Sequence, residues 1–333
     1  MAGLIARRLA GLVGILLGLT VIVFLLQTVI PADPARAVVG ASASPEVVEA
    51  KRAELGLDEP LPQRFGAFVS RLREGDLGES LRTRNPVADD LRSFVPATFE
   101  LAMTAAVLAL AIGFGLGLLL AGGGRLAAGA RLLLLAGASL PAFLVGLVGV
   151  LVLYSQLGLL PASGRLDDTL VAPEGRTGFL TVDALLTGDL ALFGSAVAHL
   201  ALPALTLALT PALALARTLK TSLDQVLEED YVRTARAKGL AERTVLLRHG
   251  LRNAVNPTLT MAGLQFGLLL GGMVVVELIF AWPGLGLFLA QSIAYSDFPA
   301  ITGVTLLLGA AYVVVNFLVD VAQALADPRI RSV

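Results

Sequence analysis

Cysteine, histidine and lysine, which often perform covalent chemistry or bind metals, are absent or rare in this chain. It has no cysteine, which excludes disulfides, thiolate nucleophiles and cysteine-ligated metals. The two histidines, His199 and His249, form no metal-ligand pair, and no nucleophile and base occur at a recognisable spacing. The three lysines, Lys51, Lys220 and Lys238, lie outside any GxxxxGK(S/T) phosphate-binding loop. The sequence therefore predicts no cofactor, no metal site and no catalytic centre in this chain.

Charged side chains are instead concentrated in one stretch, Glu228 to Pro257, which contains ten of them in thirty residues. Its first part, EEDYVRTARAKG, begins acidic and ends basic, the order that suits a helix dipole, and Gly239 is a typical C-terminal stop. A run from Ala241 combines leucine and valine with arginine and predicts an amphipathic helix at the membrane surface. Asn256 and Pro257 are expected to be the N-cap and first residue of the next helix. The stretch is either a solvated connector held by anionic lipid or a docking surface for a cytoplasmic partner.

The elements around this stretch are hydrophobic. Of the 333 residues, 56% are apolar and 15% charged, and the mean hydropathy is +0.80, which indicates a membrane protein. A helix needs about 20 apolar residues to cross a bilayer. Six segments meet this requirement, and the predicted fold class is an all-α integral membrane protein with six transmembrane helices: Leu9 to Ile30, Leu101 to Ala121, Leu132 to Leu157, Ser195 to Ala216, Thr258 to Phe280 and Ala300 to Val319.

Positive charges predict the orientation, because lysine and arginine near short loops stay in the cytoplasm. The connection between the fourth and fifth segments carries eight, whereas that between the third and fourth carries two and that between the fifth and sixth none. Both termini are therefore expected to be cytoplasmic. The first segment could be a signal peptide, but its apolar run is too long for a signal core, which favours a membrane anchor.

Two extracytoplasmic segments contain helical patterns. In the first loop, Ser44 is a predicted N-cap, Pro45 the first helical residue and Gly56 lies near the C-terminus. In the second, GFLTVDALLTGDL predicts either a helix lying on the membrane or another loop, or an ordinary connector.

Polar residues and helix breakers mark particular points of the predicted spans. Glu100, Glu277 and Asp320 lie at span ends, which favours partial hydration or a helix-end partner over a proton relay. The breakers are Pro141, Pro203 and Pro211, of which the last two suit a bent, movable fourth helix. A glycine occurs at every fourth position of the fifth span and predicts close helix packing or a subunit interface: Gly263, Gly267 and Gly271.

Several motifs together resemble one family. DYVRTARAKGL and HGLRNAVNPTLT, followed by ELIFAWPGLG and DPRIR, are similar to the permease subunits of ABC importers for dipeptides, oligopeptides and nickel, in particular to the first of their two permeases. The similarity also includes LGLDEPLPQRF, GDLGES, PATFEL and HLALPALTLAL, so it covers nearly the whole chain. Gly239 matches the glycine of the family's EAA motif. The Glu-Ala-Ala positions read Arg233, Thr234 and Ala235, a departure that matches the peptide subgroup.

The resemblance implies a type I ABC importer permease in the bacterial cytoplasmic membrane. It implies these divisions: residues 1–30, cytoplasmic tip and first helix; 31–96, extracytoplasmic loop; 97–325, permease core with the coupling loop 217–257; 326–333, cytoplasmic tail. The implied partners are a homologous second permease, two cytoplasmic ATPase subunits or domains that bind ATP and Mg, an extracytoplasmic substrate-binding protein and a peptide. A helix docking into the ATPase would comprise Asp230, Tyr231, Arg233, Thr234, Ala235, Arg236, Ala237 and Lys238, ending at Gly239, with Arg233, Arg236 and Lys238 at the contact.

Two other functions stay open at this point. Nickel or another small solute would use the same machinery, and the motifs do not separate it from peptide. A self-sufficient proton-coupled carrier is disfavoured, because the spans lack midplane carboxylates and no inverted repeat is detectable.

Overall fold

The computed structural model describes residues 2–29, 34–40, 43–173 and 176–326. These residues are helical apart from turns, loops and a single β-bridge between Glu79 and Pro86. The tail residues 327–333 and their two arginines lie outside the described residues. An all-helical fold agrees with the composition, since an apolar chain in a bilayer must satisfy its backbone hydrogen bonds internally.

The helices are as follows in chain order: α1, Ala2–Val29; α2, Pro34–Val39; α3, Pro45–Glu54; α4, Leu61–Arg73; α5, Val87–Gly122; α6, Gly124–Ser139; α7, Ala142–Gly149, continued by a π-helix, Val150–Gln156; α8, Leu180–Thr187; α9, Leu190–Leu227; α10, Asp230–Ala237; α11, Glu242–Thr244, continued by a second π-helix, Val245–Gly250; α12, Leu251–Ile279; α13, Leu285–Ala294; and α14, Phe298–Ala326.

Four stretches are long and apolar enough to cross a membrane: Val87–Gly122, Leu190–Leu227, Glu242–Ile279 and Phe298–Val319. Shorter apolar helices occur at Ala10–Leu26, Ala142–Gln156 and Leu285–Ala294. Each of the six segments predicted from the sequence thus contains helical residues in the described part of the chain, and the structure adds α13, which was not predicted.

The third predicted segment, Leu132 to Leu157, is not one continuous helix. Helix α6 ends at Ser139, and α7 starts at Ala142 after two extended residues, Leu140 and Pro141. The residue before a proline avoids the helical region, and proline has no N–H to donate to the preceding turn. Pro141 therefore ends one helix and begins the next.

The second half of the charged stretch also differs from its prediction. Asn256 and Pro257 do not start a helix but lie inside a continuous helical run from Glu242 to Ile279. Proline at 257 leaves the carbonyl of Asn253 without its intrahelical donor. Asn253 and Pro257 are both exposed, so water can reach that carbonyl. Neighbouring Ala254 is fully buried and holds the helix in place.

Helices α5, α9 and α12 form the core of the bundle, and α5 and α9 have the most extensive contact. The approach of α5 to α9 is close. A Cβ atom added to Gly113 would lie 2.7 Å from Leu215 Cβ, and one added to Gly117 would lie 2.8 Å from Leu219 Cδ2. Pro203 and Pro211 are buried inside α9, which remains helical through both. Small residues therefore let the two helices pack as one unit.

The predicted loop helices are present with differences in detail. Helix α3 begins at Pro45 and is followed by Gly56 at φ +63°, as the sequence indicates, but the Ser44 side chain makes no capping hydrogen bond. Helix α8 packs against α9, and its residues Leu180 and Ala184 are buried. Helix α4, which follows α3 in the sequence, is another amphipathic helix and was not predicted.

Candidate functional site

Helix α10 is held against the bundle by its apolar face. Two residues separate it from the end of α9, and the N-terminal residue Asp230 matches the prediction for the start of this helix. Val232 and Ala235 are buried and form a small apolar cluster with Val245 of the second π-helix and Leu227 of α9. The helix therefore contacts the last turn of α9 and the turns that lead into α12.

Polar contacts strengthen this attachment. Arg236 donates to the Glu242 carboxylate at 2.7 and 3.3 Å and to the backbone carbonyl of Leu227 at 3.2 Å. The hydrogen bond to Glu242 raises the pKa of Arg236, so the guanidinium keeps its charge throughout the physiological range. On the other side of α10, Asn253 Nδ2 donates to the Tyr231 hydroxyl at 2.7 Å. We call these two contacts, Arg236–Glu242 and Tyr231–Asn253, the α10 clamp.

The rest of α10 faces away from the bundle. Arg233 pairs with Asp230 at 3.1 Å, and their side chains are 70% and 94% exposed. Thr234, Ala237 and Lys238 are exposed as well. The three basic residues grouped by sequence thus differ: Arg233 and Lys238 lie on the exposed face, whereas Arg236 belongs to the clamp. Ala235 lies on the buried face.

Gly239 ends α10 in the manner that its residue type predicts. Its φ is +77°, a left-handed value that other residues rarely adopt. The Gly239 N–H donates to the Arg236 carbonyl at 2.9 Å, and the Leu240 N–H donates to the Ala235 carbonyl at 3.4 Å. This pair of hydrogen bonds is a Schellman motif, which satisfies carbonyls at the helix end and reverses the chain.

A second group of polar residues lies at the far end of α12. With 29 residues at about 1.5 Å each, α12 is roughly 40 Å long. Glu277, near its C-terminal end, is fully buried and accepts hydrogen bonds from Thr98 Oγ1 at 2.7 Å and the Leu287 N–H at 2.9 Å. Thr98 Oγ1 also accepts from the Leu285 N–H at 2.7 Å. These contacts fix the start of α13 to α5.

Arg165 joins the loop after α7 to the same place. Its guanidinium pairs with Glu100 and donates to the Gly178 carbonyl at 3.0 Å, and it lies over the ring of Trp282 at 5.4 Å from the centroid. Trp282 Nε1 donates to the Ala97 carbonyl at 2.9 Å. We call Thr98, Glu100, Arg165, Glu277 and Trp282 together the Glu277 cluster.

The Glu277 cluster refines what the sequence indicated for the charged span ends. Glu100 accepts from the Thr181 N–H at 2.8 Å and the Thr181 hydroxyl at 2.6 Å, so both carboxylates have specific partners instead of partial hydration. The sequence provided Glu100 and Glu277 as candidates. It gave Arg165 only as one of two basic residues between the third and fourth segments, and it did not indicate Thr98. The side chain of Asp320 lies outside the described residues.

The three glycines of the α12 stripe do not share one environment. Gly263 and Gly267 are buried, and a Cβ added to Gly267 would lie 2.7 Å from Tyr312 Cε2 of α14. Gly271 has no atom within 4 Å of such a Cβ. One glycine of the stripe therefore permits a close contact within the chain, and another faces open space.

Long apolar helices with a clamped amphipathic helix between two of them define a polytopic membrane protein. Residues 97–332 match the sequence model of a protein family described as binding-protein-dependent transport system inner membrane component. Residues 1–102 match the sequence model of the N-terminal region of such membrane components. The chain belongs to this family and is thus a permease component of an ABC importer in the inner membrane.

Curated relatives agree over nearly the whole length. A probable D,D-dipeptide transport system permease protein of Escherichia coli strain K12 is 45% identical over 329 residues, 98% of this chain and 97% of the relative. A di/tripeptide transport system permease protein of Pseudomonas aeruginosa strain UCBPP-PA14 is 41% identical over 334 residues, 99% of both chains. A glutathione transport system permease protein of Escherichia coli O6:H1 is 39% identical over 336 residues, also 99% of both chains.

Proposed function

We propose that this chain crosses the inner membrane six times with both termini in the cytoplasm. Four long apolar helices, together with α1 and the broken α6–α7 segment, provide six passages. The eight basic residues of the 217–257 connection support a cytoplasmic position for α10. Because the sequence has no cysteine, single cysteines at Lys238 and at Arg92 would report the side of each segment to a membrane-impermeant maleimide.

The proposed cargo is a short peptide. The three relatives described above are named for D,D-dipeptides, di- and tripeptides, and glutathione. In this proposal a homologous second permease completes the pathway, and an extracytoplasmic binding protein delivers the peptide. Nickel is not favoured, since the named relatives transport peptides and the described part of the chain has no group of three His, Asp or Glu side chains that could hold a metal.

The proposed energy source is ATP hydrolysed by separate cytoplasmic subunits. This chain has no phosphate-binding loop, so we assign it no catalytic step. The observation that carries the proposal is the two-sided character of α10: one face is clamped to α9 and α12, and the other exposes Asp230, Arg233, Thr234 and Lys238. An ATPase subunit that grips the exposed face would move both helices.

The packing offers a route for this movement. Helix α9 packs closely against α5 through Gly113 and Gly117, and α12 carries Glu277 at its other end. Packed helices move as rigid elements on the microsecond to millisecond scale. A displacement of α10 would therefore reach α5, α12 and α13 together, which is what alternating access requires.

Charge reversal in the α10 clamp tests this function. Arg236→Glu and Glu242→Arg would each place like charges together and weaken the attachment of α10, which the buried Val232 and Ala235 continue to hold. Peptide uptake per ATP hydrolysed should therefore fall in proteoliposomes containing the complete transporter. The double exchange, Arg236→Glu with Glu242→Arg, should restore most of the uptake.

The matched control is the exposed pair Arg92–Asp89, whose side chains are 80% and 58% exposed and whose reversal should have little effect. Unchanged uptake in both single variants, or a double exchange no better than either, would contradict the proposed coupling.

A further inference from the structure

A cavity of about 210 Å³ lies between the end of α1, helix α4 and the first turn of α14. Its walls are partly aromatic. Phe24 of α1 lies 5.8 Å from Phe68 of α4 between ring centroids, and Phe298 and Pro299 of α14 complete the apolar side. The Glu277 cluster does not include any of these residues, so the cavity is separate from the site described above.

Charged groups of both signs also line the cavity. Arg64 and Arg71 lie seven residues apart on α4, which places them on the same side of the helix, and Glu59 and Asp76 lie in the flanking turns. Among the described residues, neither arginine has a carboxylate within the 4.0 Å of an ion pair. Asp76 accepts a hydrogen bond from the Gly78 N–H at 2.8 Å, and Glu59 forms no ion pair with any residue that the structure describes. The cavity therefore offers unpaired guanidinium groups and a carboxylate to one occupant.

The neighbouring surface is apolar and continuous with α1. Ile22, Leu25 and Leu26, around Phe24, are 56%, 46% and 54% exposed. Helix α4 contains phenylalanine, leucine, valine and three arginines but no acidic residue, and none of its side chains is fully buried. Apolar and basic side chains on one helix are typical of a helix that lies in the interface between lipid and water.

We propose that this cavity binds the headgroup of a zwitterionic phospholipid from the outer leaflet. The choice of leaflet rests on the proposed topology. The phosphate would lie between Arg64 and Arg71, the ammonium group would lie beside Glu59, and the acyl chains would cover Ile22, Leu25 and Leu26. A soluble zwitterion such as a short peptide would also satisfy the charges. A lipid headgroup in this cavity would in addition place its acyl chains beside the exposed apolar side chains of α1 and beside the basic, apolar helix α4, so the lipid accounts for more of the observations.

The test compares lipid retention in purified transporter. The complete complex is reconstituted in nanodiscs containing a photoactivatable phosphatidylethanolamine and irradiated. Mass spectrometry of the digested protein then identifies the fragments of this chain that carry the lipid label. We expect labelling near Phe68 in the unaltered chain and a loss of about tenfold or more in Arg64→Ala with Arg71→Ala, since each removes a charge-assisted hydrogen bond. Arg64→Lys with Arg71→Lys should retain most of it.

Arg73→Ala with Arg92→Ala is the matched control, because it removes two basic residues that do not line the cavity. Equal labelling in the alanine pair and this control would overturn the proposal, as would displacement of the lipid label by a dipeptide at concentrations that saturate uptake. Undiminished labelling in Glu59→Gln, or equal labelling by a phosphatidylglycerol probe, would overturn the assignment of a zwitterionic headgroup. The assay does not depend on peptide transport, and maleimide labelling tests the topology separately.

Discussion

Replacing Gly239 by alanine should uncouple peptide uptake from ATP hydrolysis. At φ +77° a side chain strains the backbone, by about 1–2 kcal/mol for an L-residue in the left-handed region. No atom lies within 4 Å of the added Cβ, so the cost comes from the backbone and not from a clash. Opening the hydrogen bonds that Gly239 and Leu240 donate to the end of α10 would relieve this strain.

A cost of about 1–2 kcal/mol changes a two-state equilibrium by a factor of roughly 5–30. The fraction of molecules with α10 correctly oriented should fall by up to that factor. We therefore expect the number of labelled dipeptides imported per ATP hydrolysed by the reconstituted transporter to decrease by up to that factor. Gly239→Asn should have a smaller effect, because asparagine adopts left-handed values more readily than alanine.

The chain contains a matched control for this experiment. Gly188, at the C-terminus of α8, has φ +73° and likewise no atom within 4 Å of an added Cβ. Gly188→Ala therefore introduces the same strain far from α10, and uptake per ATP should stay close to that of the unaltered chain. Equal losses in the two variants would refute the reasoning, since the effect would then follow from strain and not from the position of α10.

Three further predictions concern packing, burial and pH. Gly267→Ala should lower the thermal stability of the purified protein, because its Cβ would lie 2.7 Å from Tyr312. Gly271→Ala should not lower it, since no atom lies within 4 Å of its Cβ and alanine favours a helix over glycine. Equal melting temperatures of the two variants would contradict this packing. Glu277→Ala should destabilise the protein by about 1–3 kcal/mol for each buried donor that loses its acceptor, and a denaturation midpoint like that of the unaltered chain would exclude the cluster's role. Burial disfavours the Asp183 carboxylate, but hydrogen bonds from Thr177 and Gly178 outweigh it and lower its pKa. The stability that Asp183 gives the folded protein, compared with Asp183→Asn, should thus be constant from about pH 8 to 5. It should be lost only as the pH falls below about 4 through the lowered pKa of the carboxyl. Limited proteolysis of both proteins measures this difference, and a loss already at about pH 6 would contradict the prediction.

The sequence predicted α10 well because its signals are local. Acidic residues at the start, Arg236 near the end and Gly239 after the last turn act within one short segment, and the structure has a helix from Asp230 to Ala237 followed by a left-handed glycine. The candidate membrane-spanning segments were predicted for a similar reason, because the length of an apolar run can be read from that segment alone, without knowing which helices pack against it. Their boundaries were less accurate: α5 begins at Val87 and α9 extends to Leu227.

Contacts between distant segments could not be derived in this way. Thr98 and Glu277 are 179 residues apart in sequence, and Arg165 and Glu100 are 65 apart. Nothing in the local pattern of either residue specifies the other. The same limitation applies to Arg236: its charge suggested a partner contact, but its pairing with Glu242 depends on how the chain turns after Gly239.

Prolines were the least predictable local feature. Pro141 interrupts a predicted span, whereas Pro257, expected at a helix start, lies inside a helix. The difference depends on surroundings that the sequence does not reveal. At Pro257 the freed carbonyl lies on an exposed side and Ala254 packs against the bundle, so the helix continues despite the missing donor.

The most direct test of the central claim is the energy source of peptide uptake. Proteoliposomes should contain this chain with its second permease and ATPase subunits, ATP in the lumen and the binding protein with a labelled dipeptide outside. We expect uptake that requires ATP, persists with a protonophore and decreases in Arg236→Glu. Uptake that continues without ATP and stops with the protonophore would show a self-sufficient proton-coupled carrier and contradict the account.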